Sequence, residues 1–123
     1  MTTTRTSITG AYTALRKDVA TATTGAIALS ATAIKATEFK HVSLKLSAAP
    51  TTSENLTITI NANAGAAYDI LLYSVDLSSG STTTMVWYPD EPLFLETGDS
   101  IDVAYTNTDT RTYGVQITML ELV

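Results

Sequence analysis

Leu56-Thr57-Ile58-Thr59-Ile60-Asn61 alternates between apolar and polar residues along its whole length. A period of two places the leucine and the isoleucines on one side of a β-strand and the threonines on the other. Threonine suits the outer side because its branched Cβ packs on the pleated surface while its hydroxyl faces water. The segment therefore predicts a β-strand with one buried face.

The same pattern continues on both sides of this segment. Residues 39–46, 101–105 and 112–122 each keep one apolar face, and residues 68–75 are apolar on both faces, which predicts a central strand covered on two sides. Turn-forming residues separate these strands at roughly ten-residue spacing, which is typical of a sandwich or jelly roll. No segment after residue 36 offers the crossover helix that a parallel sheet requires. We predict an all-β fold, an antiparallel β-sandwich or jelly roll of about eight strands.

Residues 1–24 are rich in threonine and have a less regular pattern. Tyr12, Leu15 and Val19 recur at helical spacing, but the flanking threonines weaken the prediction of a helix. We predict that residues 1–24 form an N-terminal arm, extended or partly helical, that the core does not need. Residues 25–123 would then form the β-sandwich domain.

Composition excludes several classes of protein. The 123 residues suffice for one domain, and 45% hydrophobic against 15% charged residues excludes a disordered acidic tail. The chain has no cysteine, which excludes disulfide scaffolds, zinc ribbons and thiol catalysis. No apolar run approaches the about 20 residues of a membrane span, and the first nine residues lack a signal-peptide core, so we expect no membrane partner.

Charge is distributed unevenly along the chain, although the net charge is only −5. Residues 1–45 carry six lysines and arginines against two carboxylates, whereas residues 46–123 carry one arginine against ten carboxylates. Such an asymmetry fits association with an acidic partner or between copies of the chain, and equally an ordinary acidic domain whose first residues happen to be basic. Because phosphate binding requires clustered lysines and arginines, no nucleic-acid partner is expected.

Candidate catalytic residues are few. His41, the only histidine, would need a nucleophile and an orienting carboxylate to act as a general base, and the nearby residues supply neither. We interpret it as a surface or interface histidine. Glycoside hydrolysis needs two carboxylates at a fixed separation, which many acidic chains satisfy by accident. We predict no catalytic residue, no cofactor and no enzymatic activity.

Oxygen ligands for a metal ion are also present. Asp99, Asp102, Asn107 and Asp109 lie at the two ends of one predicted hairpin strand and would bind calcium if the loops approached one another. Their spacing differs from that of an EF-hand loop. Aspartate and asparagine in turns also bond to nearby backbone donors, which explains the same residues without a metal. These four residues are therefore weak candidates, and no metal is predicted.

Trp87 and Tyr88 are adjacent and should face opposite sides of a sheet. One would pack in the core, and the other would be available to another copy, a partner protein or a sugar ring.

Two stretches, Leu46-Ser47-Ala48-Ala49-Pro50-Thr51-Thr52-Ser53-Glu54-Asn55-Leu56-Thr57 and Gly98-Asp99-Ser100-Ile101-Asp102-Val103-Ala104-Tyr105-Thr106-Asn107, resemble small tailed-phage structural proteins. Thr112-Tyr113-Gly114 and the segments 68–77 and 87–95 extend this resemblance over about residues 36–122. It implies a jelly-roll fold and, by analogy, a capsid decoration or cement protein that binds neighbouring capsid subunits on the virion surface after synthesis in the host cytoplasm.

In that role the partner is the major capsid protein or another virion protein, and the chain forms a homo-oligomer, with a trimer favoured. The arm would bind the partner through Arg5, Tyr12, Arg16 and Lys17. Two alternatives remain open. One is a receptor- or glycan-binding module of a tail or fibre, and the other is a self-assembling filament or head-fibre subunit.

Overall fold

Nine β-strands make up almost all of the regular structure in the part of the chain that can be described. A computed structural model describes residues 13–21 and 24–123. The strands are β1 (Thr13–Thr21), β2 (Ile27–Thr32), β3 (Thr37–Leu46), β4 (Asn55–Asn61), β5 (Ile70–Asp76), β6 (Thr84–Trp87), β7 (Leu93–Leu95), β8 (Ser100–Tyr105) and β9 (Tyr113–Leu122). One short 3-10 helix, Ala66–Tyr68, lies between β4 and β5. Within the described ranges, no helix is long and apolar enough to cross a membrane.

The strands form two antiparallel sheets that pack face to face. The first sheet has the order β1-β9-β3-β6, with β7 also paired to β3, and the second has the order β2-β8-β4-β5. Because β6 pairs with residues 42–45 of β3 and β7 with residues 37–39, the two short strands share one position in the sheet. The result is eight strand positions in the order of a jelly roll. The predicted all-β sandwich is confirmed.

The core lies between the inner faces of the two sheets. Leu56 and Ile58 of β4 are fully buried, whereas the threonines beside them are half-buried on the outer face, as the period of two predicts. The first sheet contributes Phe39, Ile117 and Met119 to the same core. Full burial of each such side chain contributes about 1.5–3 kcal/mol relative to its exposure, so this interior is the main source of stability.

Residues 13–21 form the first strand of the sandwich, and the prediction that they belong to a separate arm is wrong. β1 pairs with β9 from Thr13, opposite Leu122, to Thr21, opposite Gly114. Leu15 and Val19 are exposed on one side of the strand, and Ala20 packs against the core from the other. A separation of four residues fits both a helical turn and two strand repeats, so the spacing could not distinguish them. Residues 1–12 and 22–23 lie outside the described residues.

The position of β5 also differs from the expectation. Its two apolar faces predicted a central strand, but β5 is an edge strand of the second sheet and pairs only with β4 in the described sheet. Tyr73 and Val75 pack toward the core, while Ile70 and Leu71 are exposed. The apolar side chains on both faces of β5 therefore do not indicate a second packed layer, because its outer face is exposed.

Candidate functional site

The outer face of the first sheet carries most of the exposed basic and large apolar side chains of its strands. The register places Lys17 of β1 opposite Thr118 of β9, which in turn lies opposite His41 of β3. Val42, Ile117 and Met119, which adjoin His41 and Thr118 along their strands, are in the core, and Lys17 lies in the same row, so these three side chains point outward. We call this surface the basic face. Its outward residues are Leu15, Lys17, Val19, Glu38, Lys40, His41, Ser43, Lys45, Val86, Tyr88, Phe94, Gln116, Thr118 and Leu120.

Positive charge dominates this surface. Three lysines, at positions 17, 40 and 45, lie on it, and Glu38 is the only carboxylate on it among the described residues. Partial burial lowers the pKa of His41, and the charges of Lys17 and Lys40 lower it further. Because His41 is therefore neutral at neutral pH, the lysines supply the positive charge.

Apolar side chains lie among these lysines. Leu15 is 63% exposed, Tyr88 62%, Val86 54% and Phe94 45%. Exposed apolar side chains that share a face with charged ones are typical of a protein-binding surface, whereas isolated ones are ordinary. The strand order brings them together from β1, β6 and β7, so no local stretch of sequence shows the surface. The sequence pattern does not distinguish Phe94 and Lys45, because only the pairing of β7 and β6 with β3 places them on this face.

Arg16 has a structural role, which differs from its predicted role in partner binding. Its guanidinium donates hydrogen bonds to Asp18 (2.8 Å) and Glu121 (3.2 Å) in the first sheet and to the Thr32 carbonyl oxygen (2.8 Å) in the second. The Asp18 hydrogen bond is the main reason why the pKa of Arg16 is raised. Arg16 thus joins the two sheets at their edge. Of the other predicted contact residues, Lys17 lies on the basic face, while Arg5 and Tyr12 lie outside the described residues.

The side chain of Trp87 packs toward the core and that of Tyr88 is exposed, as their adjacency in a strand predicts. The Trp87 ring stacks between Tyr73, at a centroid distance of 5.4 Å, and Phe39, at 6.1 Å. It is therefore part of the core packing. Tyr88 is exposed, and its ring lies 5.2 Å from the imidazole of His41.

A groove opens next to Tyr88, in the gap between β6 and β7, the two short strands that share one position beside β3. β6 ends at Trp87 and β7 begins at Leu93, and the intervening residues 88–92 contain two prolines, which cannot donate hydrogen bonds to a neighbouring strand. Opposite this break, β3 has a bulge between Phe39 and His41. The groove has a volume of about 330 Å³. Its lining residues are Glu38, Phe39, Lys40, Tyr88, Pro89, Asp90, Glu91 and Pro92.

Two of the weak metal candidates hold the loops at one end of the sandwich. The Asp109 carboxylate accepts hydrogen bonds from the backbone N–H and the hydroxyl of both Thr51 and Thr52. These hydrogen bonds, with those from Thr52 foremost, lower the pKa of Asp109 to about 2. Asn107 is buried and binds three backbone groups, of Gly25 and Arg111.

The other two candidates lie elsewhere. Asp99, at the opposite end of the sandwich, accepts hydrogen bonds from the backbone N–H groups of Asn63 and Glu96. Asp102 lies on the outer face of the second sheet and accepts hydrogen bonds from Ser30 and Ser100. The structure thus does not bring the four candidates together. Only Asp99 and Asn107 accept hydrogen bonds from backbone N–H groups near them in sequence, as the turn interpretation predicts. No group of three or more potential metal ligands occurs in the described ranges.

No protein-family model matches this chain, and no curated protein matches it in sequence. The resemblance to tailed-phage proteins therefore stays a prediction that rests on the quoted stretches alone.

Proposed function

We propose that this chain is a non-enzymatic structural protein of a tailed-phage virion, a jelly-roll subunit that decorates the outer shell of the capsid. Its basic face would bind the major capsid protein, and the copies would associate into a homo-oligomer, with a trimer favoured. The chain would be made in the host cytoplasm and reside on the capsid surface. The observation that carries the proposal is the presence of exposed apolar and basic side chains together on one face.

Two features of the fold support this role. The two sheets pack around one apolar core, and the loop carboxylates of Asp109 and Asp99 are already engaged in hydrogen bonds within the chain. The basic face, in contrast, presents Leu15 and Tyr88 without covering residues. Many copies on one shell would make weak individual contacts effective through avidity.

Matched leucine variants on opposite faces test the proposal. Leu15 is 63% exposed on the basic face, and Leu71 is 59% exposed on the outer face of the second sheet, opposite Thr59. Leu15→Asp and Leu71→Asp therefore make the same chemical change at similar exposure. We expect Leu15→Asp to weaken co-sedimentation with shells of the encoding phage by about tenfold or more, because it buries a charge in the contact, and Leu71→Asp to leave it unchanged.

Circular dichroism and light scattering on both variants control for folding and for oligomer size. Equal shell binding by the two variants would contradict the assignment of the basic face. A wild-type protein that does not bind shells at all would contradict the decoration role itself.

A receptor- or glycan-binding module is the second candidate, and the exposed ring of Tyr88 favours it. An aromatic ring beside a groove is a common platform for a sugar. A glycan array probed with wild-type protein and with Tyr88→Ala separates the two functions, since only a glycan-binding module gives hits that the substitution removes.

A further inference from the structure

The groove at the break between β6 and β7 contains a buried carboxylate. Glu38 is 4% exposed, although it lies on the outer face of its sheet between Leu120 of β9 and Phe94 of β7. Its Oε2 atom accepts a hydrogen bond from Lys40 Nζ at 3.3 Å. Its Oε1 atom is also buried and has no hydrogen-bond partner within residues 13–21 and 24–123. A carboxylate offers about four acceptor positions, so most of those of Glu38 are unused.

A buried hydrogen-bond acceptor that has no donor destabilises the folded protein, and a ligand that supplies the donor removes this cost. Lys40 is the one cation among the described residues that line the groove, and its side chain is 40% exposed. Its movement would release Oε2 of Glu38 for a donor that enters from the groove.

The walls of the groove favour a planar cation. Asp90 and Glu91 are exposed at the rim, so the described residues of the lining carry three carboxylates against one lysine. The Tyr88 ring and two prolines supply flat, largely apolar surfaces. A guanidinium group stacks on such surfaces and donates two parallel hydrogen bonds to a carboxylate.

We propose that this groove binds the guanidinium group of an arginine side chain presented by a protein partner. The arginine takes the place of the Lys40 ammonium and donates to both oxygens of Glu38, while its plane lies against Tyr88. The groove lies on the basic face, in the same cross-strand row as Leu15, so the partner is the protein that this face binds and the inference rests on the proposed function in that respect. Its test uses a small molecule, so either proposal can fail without the other.

Titration of the protein with N-acetyl-L-arginine amide, followed by the backbone amide NMR signals of residues 38–41 and 88–92, tests the site. We expect saturable shifts confined to these segments. The neutral isostere N-acetyl-L-citrulline amide should cause none, because it lacks the positive charge.

Three variants connect the signal to the proposed contact. Glu38→Gln should weaken binding about tenfold or more, since it removes a charged acceptor. Lys40→Met should strengthen binding about two- to fivefold by removing the competing cation, and it leaves the buried carboxylate in place. Glu96→Gln, an exposed carboxylate outside the groove, makes the same charge change as Glu38→Gln and should bind as the wild type does.

The proposal is overturned if the arginine amide causes no saturable shift, or if the citrulline amide binds equally well. Unchanged binding by Glu38→Gln, or weaker binding by Lys40→Met, also overturns it.

Discussion

Replacing Asn107 with alanine tests whether hydrogen bonds hold the connection between β8 and β9. Asn107 is 2% exposed, and its Nδ2 atom donates to the carbonyl oxygens of Gly25 and Arg111, both at 2.9 Å. Its Oδ1 atom accepts from the Arg111 backbone N–H at 3.0 Å. At about 1 kcal/mol for each buried hydrogen bond, the three contribute about 3 kcal/mol. The left-handed backbone, with φ of 57°, adds about 1 kcal/mol against alanine, giving a loss of about 4 kcal/mol.

Asn107→Gly separates the two contributions, because glycine loses the hydrogen bonds but tolerates the left-handed backbone. We expect a loss of about 3 kcal/mol for glycine, measured by urea unfolding with an unchanged dependence on denaturant. Against a total stability of about 5–15 kcal/mol, both losses are easily resolved. A loss below about 1 kcal/mol for Asn107→Ala would refute the hydrogen-bond account. A fall in wild-type stability on adding a chelator would reinstate the metal interpretation.

Three further predictions concern charged groups. Arg16→Met should lower the free energy of unfolding by about 1–2 kcal/mol in urea melts, because it removes the link between Thr32 and the first sheet, whereas Lys17→Met should change it by less than about 0.5 kcal/mol. The pKa of His41 is lowered in the folded state, so the unfolded state binds more protons below about pH 6.5. The free energy of unfolding should therefore decrease as the pH falls below that value. His41→Gln should remove this part of the pH dependence. The pKa of Asp109 is about 2 in the folded state and 3.8 in the unfolded state, so its contribution to stability is complete above pH 3.8 and is lost as the pH falls toward 2. Asp109→Asn should therefore make the free energy of unfolding less dependent on pH in that range. An unchanged dependence would contradict the assignment.

Alternation predicted the strands with one buried face well. Leu56 and Ile58 of β4, and Ile101 and Val103 of β8, occupy the core as their period indicated. The pattern was ambiguous for β1, where two apolar residues four apart fit a helix and a strand alike. It misplaced β5, because apolar side chains on both faces do not reveal whether anything covers the outer one.

The candidate site was predictable only in part. Adjacency in a strand predicts that Trp87 and Tyr88 face opposite sides, and turn chemistry predicts the hydrogen bond from the Glu96 N–H to Asp99. The bonds of Asp109 to Thr51 and Thr52 were not predictable, because these partners lie 58 and 57 residues away in sequence. The structural role of Arg16 was not predictable, since Glu121, one of its partners, lies 105 residues away in sequence.

The sequence by itself determined the class of structure, because period-two patterning, threonine-rich strands and turn residues act within a few neighbouring residues. The tertiary structure decided which strands became neighbours, and with them the basic face and the groove. Lys17 and His41 share a row only because β9 pairs with both β1 and β3. Glu38 lies between Leu120 and Phe94 only because β3 pairs with both β9 and β7. Such pairings depend on the simultaneous packing of both sheets around one core, a long-range condition that no local stretch of sequence expresses.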